Sequence, residues 1–91
     1  MRNLKNVFVV DDFRLIPVLL AKYLDRSGFA THTASNGREA LEKFRREEPE
    51  MLISDAHLPG MNGFELTRRV REISDIPIVI MSAVSGYMED D

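Results

Sequence analysis

Four short apolar runs, separated by three segments of helical periodicity, constrain the fold of this 91-residue chain most. The runs are VFVV (7–10), FATHTA (29–34), MLIS (51–54) and IPIVIMS (76–82). The first and third are typical of strands buried on both faces, whereas the alternation in the second is typical of an edge strand. The order βαβαβαβ predicts right-handed crossovers and a mainly parallel sheet with helices on both faces.

The three intervening segments carry helix signals. Apolar residues recur at helical spacing from Leu15 to Leu24, with Pro17 in the first turn and Ser27-Gly28 as the stop. Two capping-box patterns begin the other helices, namely Asn36 with Glu39 and Asn62 with Glu65. The positions predicted to face the core are Ala40, Leu41 and Phe44 in the second helix and Leu66, Val70 and Ile73 in the third.

Composition and net charge argue against several classes of function. With 44% hydrophobic and 30% charged residues, residues 1–91 are expected to form a single small globular domain. Without cysteine, the chain has neither a disulfide nor a thiolate metal site, and a reducing compartment is compatible. The apolar runs are too short to span a bilayer, and the N-terminus does not resemble a signal peptide, so we expect a soluble, cytoplasmic protein. A net charge of −3, with acids and bases intermixed, argues against direct binding of nucleic acid.

Polar residues end three of the four predicted strands. Asp11 and Asp12 follow the first strand, Asp55 ends the third and Ser82 ends the fourth. Ligands of open parallel sheets bind beyond the carboxyl ends of the strands, so all four residues are predicted at one rim. If strands one and three are neighbours, the repulsion among three carboxylates requires a cation or raised pKa values. Oxygen ligands without cysteine or a histidine cluster favour Mg²⁺.

Each of these residues also has a simpler interpretation. Asp11 and Asp12 fit a loop at a helix N-terminus, Asp55 fits the start of a turn, and Ser82 fits a hydroxyl bonded to the backbone. His57 has no second histidine nearby in sequence, so its imidazole is expected on the surface. The combination of strand-end acids is stronger than any one of them.

VFVVDD, LISDAHLPGMNGFEL and IPIVIMSA together resemble the receiver domain of two-component response regulators, over about residues 5 to 84. The D-x-x-L-P-G-M-x-G element is specific to that family. The resemblance implies an α/β, flavodoxin-like (CheY-like), doubly wound parallel sheet. Its expected strand order is 2-1-3-4, without the family's last strand and last two helices.

The resemblance also implies roles for individual residues. Asp55 corresponds to the phosphoacceptor. The implied ligands of Mg²⁺ (or Mn²⁺) are Asp11, Asp12, Asp55 and the backbone carbonyl of His57. Ser82 corresponds to the hydroxyl that binds the phosphoryl group, and Ala83 to the small residue beside it. The implied partner is a sensor histidine kinase or phosphotransfer protein, and the implied activity is that of a switch and not of an enzyme.

The sequence departs from the family in one respect. The family's fifth strand ends in a lysine that pairs with the phosphoryl group, whereas the last lysine of this chain is Lys43, in the second helix. We therefore expect slow or poorly coupled phosphorylation of this chain. We also expect strand four to be an unpaired apolar edge. The protein is then expected to form a homo-oligomer, either through this edge or through an exchanged tail.

Two other functions fit parts of this pattern. A haloacid-dehalogenase-like phosphatase also uses a strand-end aspartate with Mg²⁺, but it requires D-x-D, whereas this chain has adjacent Asp11 and Asp12 followed by Phe13. A pseudo-receiver that acts only as an interaction or dimerisation module would keep the acidic pocket without using it for phosphoryl transfer.

Overall fold

The structure, a computed structural model, describes residues 5–13 and 15–82. Its elements are β1 (Lys5–Val10), α1 (Leu15–Arg26), β2 (Phe29–Ala34), α2 (Gly37–Glu47), β3 (Met51–Asp55), α3 (Gly63–Arg71) and β4 (Ile78–Met81). The four strands are parallel and lie in the order β2-β1-β3-β4. The predicted element order and strand order are both confirmed.

The strand register brings the chain's polar strand ends together. Val10 of β1 pairs with Ser54 of β3, so the residues that follow them, Asp11 and Asp55, lie side by side. Asp55 in turn pairs with Met81, the last residue of β4. One edge of the sheet therefore collects residues that are far apart in the sequence.

The main core lies between the sheet and helices α2 and α3. It contains residues of β1, β2 and β3 and of the inner faces of the two helices, together with one loop residue, as follows: Phe8, Val10, Ala34, Ala40, Phe44, Leu52, Leu58, Leu66 and Val70. Val7 and Val9, at the intervening positions of β1, are buried on the opposite face, because successive strand residues point to opposite sides.

Helix α1 packs mainly on β2 and is less covered than its sequence predicts. Ile16, Leu20 and Leu24 are half-buried, whereas three other members of its apolar spacing, Leu15, Leu19 and Tyr23, are 53%, 52% and 68% exposed. Pro17 is buried in the first turn, as predicted. The helix ends at the predicted place, where Gly28 adopts φ +92, a left-handed conformation that glycine accepts without steric cost.

The two predicted asparagine caps are confirmed, but the carboxylates of the two glutamates bind different partners. The side chains of Asn36 and Asn62 accept hydrogen bonds from the N–H groups of Glu39 and Glu65, both at 2.8 Å. The carboxylate of Glu39 accepts the N–H of Ser35, one residue before the cap. The carboxylate of Glu65 does not return to its cap, because it pairs with Arg68 and Arg69.

Two sequence predictions about the last elements were wrong in detail. Ile73 lies beyond the end of α3 and is 46% exposed, so it does not continue the buried stripe of Leu66 and Val70. Strand β4 begins at Ile78 and not at residue 76, because Pro77 has no N–H to donate to a strand ladder. The Pro77 carbonyl still accepts the N–H of Leu52 at 3.0 Å.

Candidate metal and phosphoryl site

Three carboxylates converge at the carboxyl end of β1 and β3. One oxygen from each of Asp11, Asp12 and Asp55 can be chosen so that all three lie within 4.8 Å of one another. Asp11 is buried, Asp55 is half-buried and Asp12 is exposed. In the part of the chain that the structure describes, this is the only group of three or more His, Cys, Asp or Glu residues with such spacing.

Asp11 is fixed by backbone hydrogen bonds on both sides. Its N–H donates to the Ala34 carbonyl at 3.1 Å, which continues the β1–β2 ladder, and its Oδ1 accepts the Phe13 N–H at 2.9 Å. Burial raises the pKa of Asp11 above its ordinary value, the Phe13 hydrogen bond acts in the opposite direction, and the nearby Asp55 and Asp12 raise it further. The site therefore favours a positive ligand.

Asp55 is held by the loop that follows it. Its Oδ1 accepts the N–H of His57 at 3.2 Å. The next residue, Ala56, donates its N–H to the Met81 carbonyl at 2.8 Å and accepts the N–H of Gly63 at 3.0 Å. These bonds connect the end of β3 with both β4 and the start of α3.

The donor set is chemically suited to a hard divalent cation. All three side chains offer carboxylate oxygens, and Asp12 is open to solvent that could complete an octahedral shell. Because Mg²⁺ binds a few protein oxygens and keeps several waters, it fits a half-open cluster of this kind better than Zn²⁺ would.

The two other candidate residues that the structure describes, His57 and Ser82, lie at the same rim. His57 is exposed, and its backbone is tied to Asp55 as described. Ser82 directly follows β4 and is exposed, next to the strand end that pairs with Asp55. Ala83 lies outside the described residues. The Lys43 ammonium is engaged in the structure by Glu39 at 2.9 Å and by the Thr33 carbonyl at 3.1 Å.

Two features of the rim are not predicted by the sequence. A cavity of about 350 Å³ opens beside Asp11, lined among others by Ser35, Glu39 and Lys43. It is lined by the end of β1, by α1, by β2 and by α2, so it forms only when these elements pack together and no local pattern indicates it. The second is the close packing of Gly63 on the end of β3, which the sequence shows only as turn chemistry in Asn62-Gly63.

A family model described as the response regulator receiver domain matches residues 7–90. The chain belongs to this family. Among curated relatives, the alkaline phosphatase synthesis transcriptional regulatory protein PhoP of Bacillus subtilis is 39% identical over 80 residues, which cover 87% of this chain and 33% of PhoP. The autoinducer 1 sensor kinase/phosphatase LuxN of Vibrio harveyi is 36% identical over 86 residues, or 93% of this chain and 10% of LuxN. The chain thus spans a third or less of either relative.

Solved structures agree with the fold. The chemotaxis response regulator CheY4 of Vibrio cholerae matches with a TM-score of 0.85 and 32% identity, over 96% of this chain and 76% of that one. The response regulator TrrA of Thermotoga maritima, solved in complex with Mg²⁺ and BeF, matches with a TM-score of 0.83 and 36% identity, over the same fractions. The flavodoxin-like, CheY-like assignment is confirmed.

Family membership sets the class of activity. Receiver domains are signalling switches that bind Mg²⁺ at an acidic cluster and interact with histidine kinases or phosphotransfer proteins. The match therefore favours a switch over the haloacid-dehalogenase-like phosphatase. Among the described residues, no helix combines the length and the apolar character needed to cross a bilayer.

Proposed function

We propose that this protein is a cytoplasmic phosphoacceptor switch, in which Asp55 accepts a phosphoryl group from a histidine kinase or phosphotransfer protein in a Mg²⁺-dependent reaction. The observation that supports this most is the convergence of Asp11, Asp12 and Asp55 at one sheet edge. Three carboxylates gathered at a partly open rim are costly to keep unless a cation binds there.

The proposed transfer is a single displacement at phosphorus. An Asp55 carboxylate oxygen forms the new O–P bond while the P–N bond of the phosphohistidine breaks, and the electron pair returns to the imidazole nitrogen. Asp55 is only half-buried, so part of this residue remains accessible to a donor. Its hydrogen bond with the His57 N–H orients the carboxylate before the donor arrives.

The other rim residues would bind the cation and the product. Asp11, Asp12, Asp55 and the His57 carbonyl would hold Mg²⁺ or Mn²⁺, which supplies positive charge to offset that of the phosphoryl oxygens. Ser82 would donate its hydroxyl to the phosphoryl group, with Ala83 leaving room for it. That new contact would draw in Ser82, the residue directly after β4, and so produce the switched state.

Phosphorylation of the purified protein tests the proposal. We expect incubation with acetyl phosphate and Mg²⁺ to add one phosphoryl group, detectable by intact-mass spectrometry and removed by hydroxylamine, as an acyl phosphate should be. Asp55→Asn should abolish the modification, whereas Asp25→Asn, an exposed aspartate of α1, should leave it unchanged. Equal labelling of Asp55→Asn and the wild type would contradict the proposal.

We further propose that the protein forms a homo-oligomer through the outer edge of β4. In the described part of the chain, β4 pairs only with β3, and Val79 in its middle is 45% exposed. An apolar strand edge of this kind readily pairs with a second copy. Analytical ultracentrifugation should show a dimer or larger species at micromolar concentration, and Val79→Lys should shift it to monomer; a wild-type monomer would exclude this assembly.

A further inference from the structure

Gly63, the first residue of α3, sits in direct contact with the end of β3. It is buried, and a Cβ at this position would lie less than 3.0 Å from the Asp55 carbonyl oxygen, a separation that real Cβ atoms essentially never show. The same Cβ would lie 3.0 Å from the Ala56 Cα. The positive-φ glycines among the described residues are Gly28 and Gly60, so at Gly63 the need is for space and not for conformational freedom.

The backbone that Gly63 touches carries the candidate ligands. Its N–H donates to the Ala56 carbonyl at 3.0 Å and thereby closes the loop that begins at His57. Within this closed loop the His57 N–H binds Asp55 Oδ1. The placement of the Asp55 carboxylate and of the His57 carbonyl is therefore coupled to how closely α3 approaches β3.

We propose that Gly63 is a positioning residue for the metal and phosphoryl site, because only a residue without a side chain lets α3 close the loop on Asp55. This inference rests on the proposed function in one respect, namely that the rim binds Mg²⁺. A methyl group at position 63 meets backbone atoms, which cannot rotate away, so either the end of β3 or the start of α3 must shift.

A second glycine provides a matched control. Gly37 is also the first residue of its helix, is also buried and also follows an asparagine cap. A Cβ at Gly37 would meet the side chain of Met61, with its sulfur at 3.0 Å. The sulfur and Cγ of this unbranched side chain can rotate away, and the Met61 Cβ, at 3.1 Å, has to shift by only a few tenths of an ångström. The two glycines thus share helix position and burial, and differ in whether they face backbone or a movable side chain.

The test compares Mg²⁺ affinity in three variants by NMR titration, with circular dichroism to verify folding. Gly63→Ala should raise the Mg²⁺ Kd about 10- to 100-fold, the range found for outer-shell partners of metal sites. Gly37→Ala should stay within about twofold, a change of about 0.4 kcal/mol. Val70→Ala, in the core one to two turns further along α3, should lower stability without changing the Kd of the folded protein.

The outcomes distinguish a failure of the proposed function from a failure of the role proposed for Gly63. If the wild type binds no Mg²⁺, the proposed function fails; if the wild type binds and a folded Gly63→Ala binds equally well, the positioning role of Gly63 fails.

If Gly63→Ala does not fold, a measurement on the wild type tests the role proposed for Gly63. Coupling between two events is reciprocal, so if loop closure favours Mg²⁺, then Mg²⁺ must favour closure. Hydrogen exchange of the Gly63 amide should slow on saturation with Mg²⁺ by a larger factor than that of the Val70 amide in the same helix. Equal slowing of the two amides would overturn the proposal.

Discussion

The two faces of the sheet differ in how completely they are covered. On one face, α2 and α3 bury Phe44, Leu66 and Val70 against the strands to 6% exposure or less. On the other, α1 leaves Leu19 and Tyr23 more than half exposed. All three helices carry apolar residues at helical spacing, so the periodicity states which residues can be buried and not which neighbour buries them.

The difference is graded across the second face. Val7 and Val9 of the central strand β1 are fully buried, whereas Val79 of β4 is 45% exposed. Val79 alternates with Ile78, which packs on the main core, so its side chain points to the α1 face of the sheet. Helix α1 lies over β2, at the far side of the sheet from β4, and does not extend to it.

Truncating one leucine on each face to alanine tests this difference in coverage most directly. Leu66→Ala should lower the free energy of unfolding by about 2–5 kcal/mol, since its side chain is fully buried in a packed core. Leu19→Ala, at 52% exposure, should cost less than about 1 kcal/mol. Urea unfolding followed by circular dichroism measures both, and similar losses would mean that the α1 face is as well covered as the other.

A smaller effect is expected at the helix caps on the well-packed face. Asn62→Ala removes the side-chain acceptor for the Glu65 N–H and should cost about 0.5–2 kcal/mol in the same urea assay. Asn62→Asp keeps an acceptor and should retain most of that stability. If Asn62→Ala unfolds at the wild-type midpoint, then packing of α3 alone fixes its start.

The smallest effect concerns the charge at the start of α2. The Ser35 N–H, and after it the Lys43 side chain, lower the pKa of Glu39 from 4.5 to about 2. Because the folded pKa lies below the unfolded one, this stabilisation is complete above pH 4.5 and is lost as the pH falls toward 2. Glu39→Gln should therefore be less stable than the wild type near neutral pH, and the gap should narrow over that interval. Solvent screening keeps the gap below the cost of losing a cap.

Glu42→Gln is the matched control for this pH series. Glu42 lies on the same helix and is exposed, with no hydrogen bond or ion pair of its side chain among the described residues. The free energy of unfolding of Glu42→Gln should follow that of the wild type across the whole pH range. A Glu42→Gln profile that matches that of Glu39→Gln would instead reflect the net charge of the protein.

The sequence alone determined the alternation of strands and helices, the two asparagine caps and the position of acids at strand ends. These are local properties, because hydrophobic period and capping depend on residues within a few positions of each other. The errors have two sources: the capping pattern ignores competition from Arg68 and Arg69, three and four residues after Glu65, and the helical spacing does not indicate that α3 stops before Ile73.

Only the tertiary structure decided which acids meet and what space they meet in. Asp11 and Asp55 are brought together by the pairing of Val10 with Ser54, a contact between strands separated by a helix, a strand and another helix. The space at Gly63 likewise exists only where α3 returns against β3. Sequence patterns carry the preferences of one segment, whereas a site made of several segments depends on register and close packing, which arise when the segments assemble.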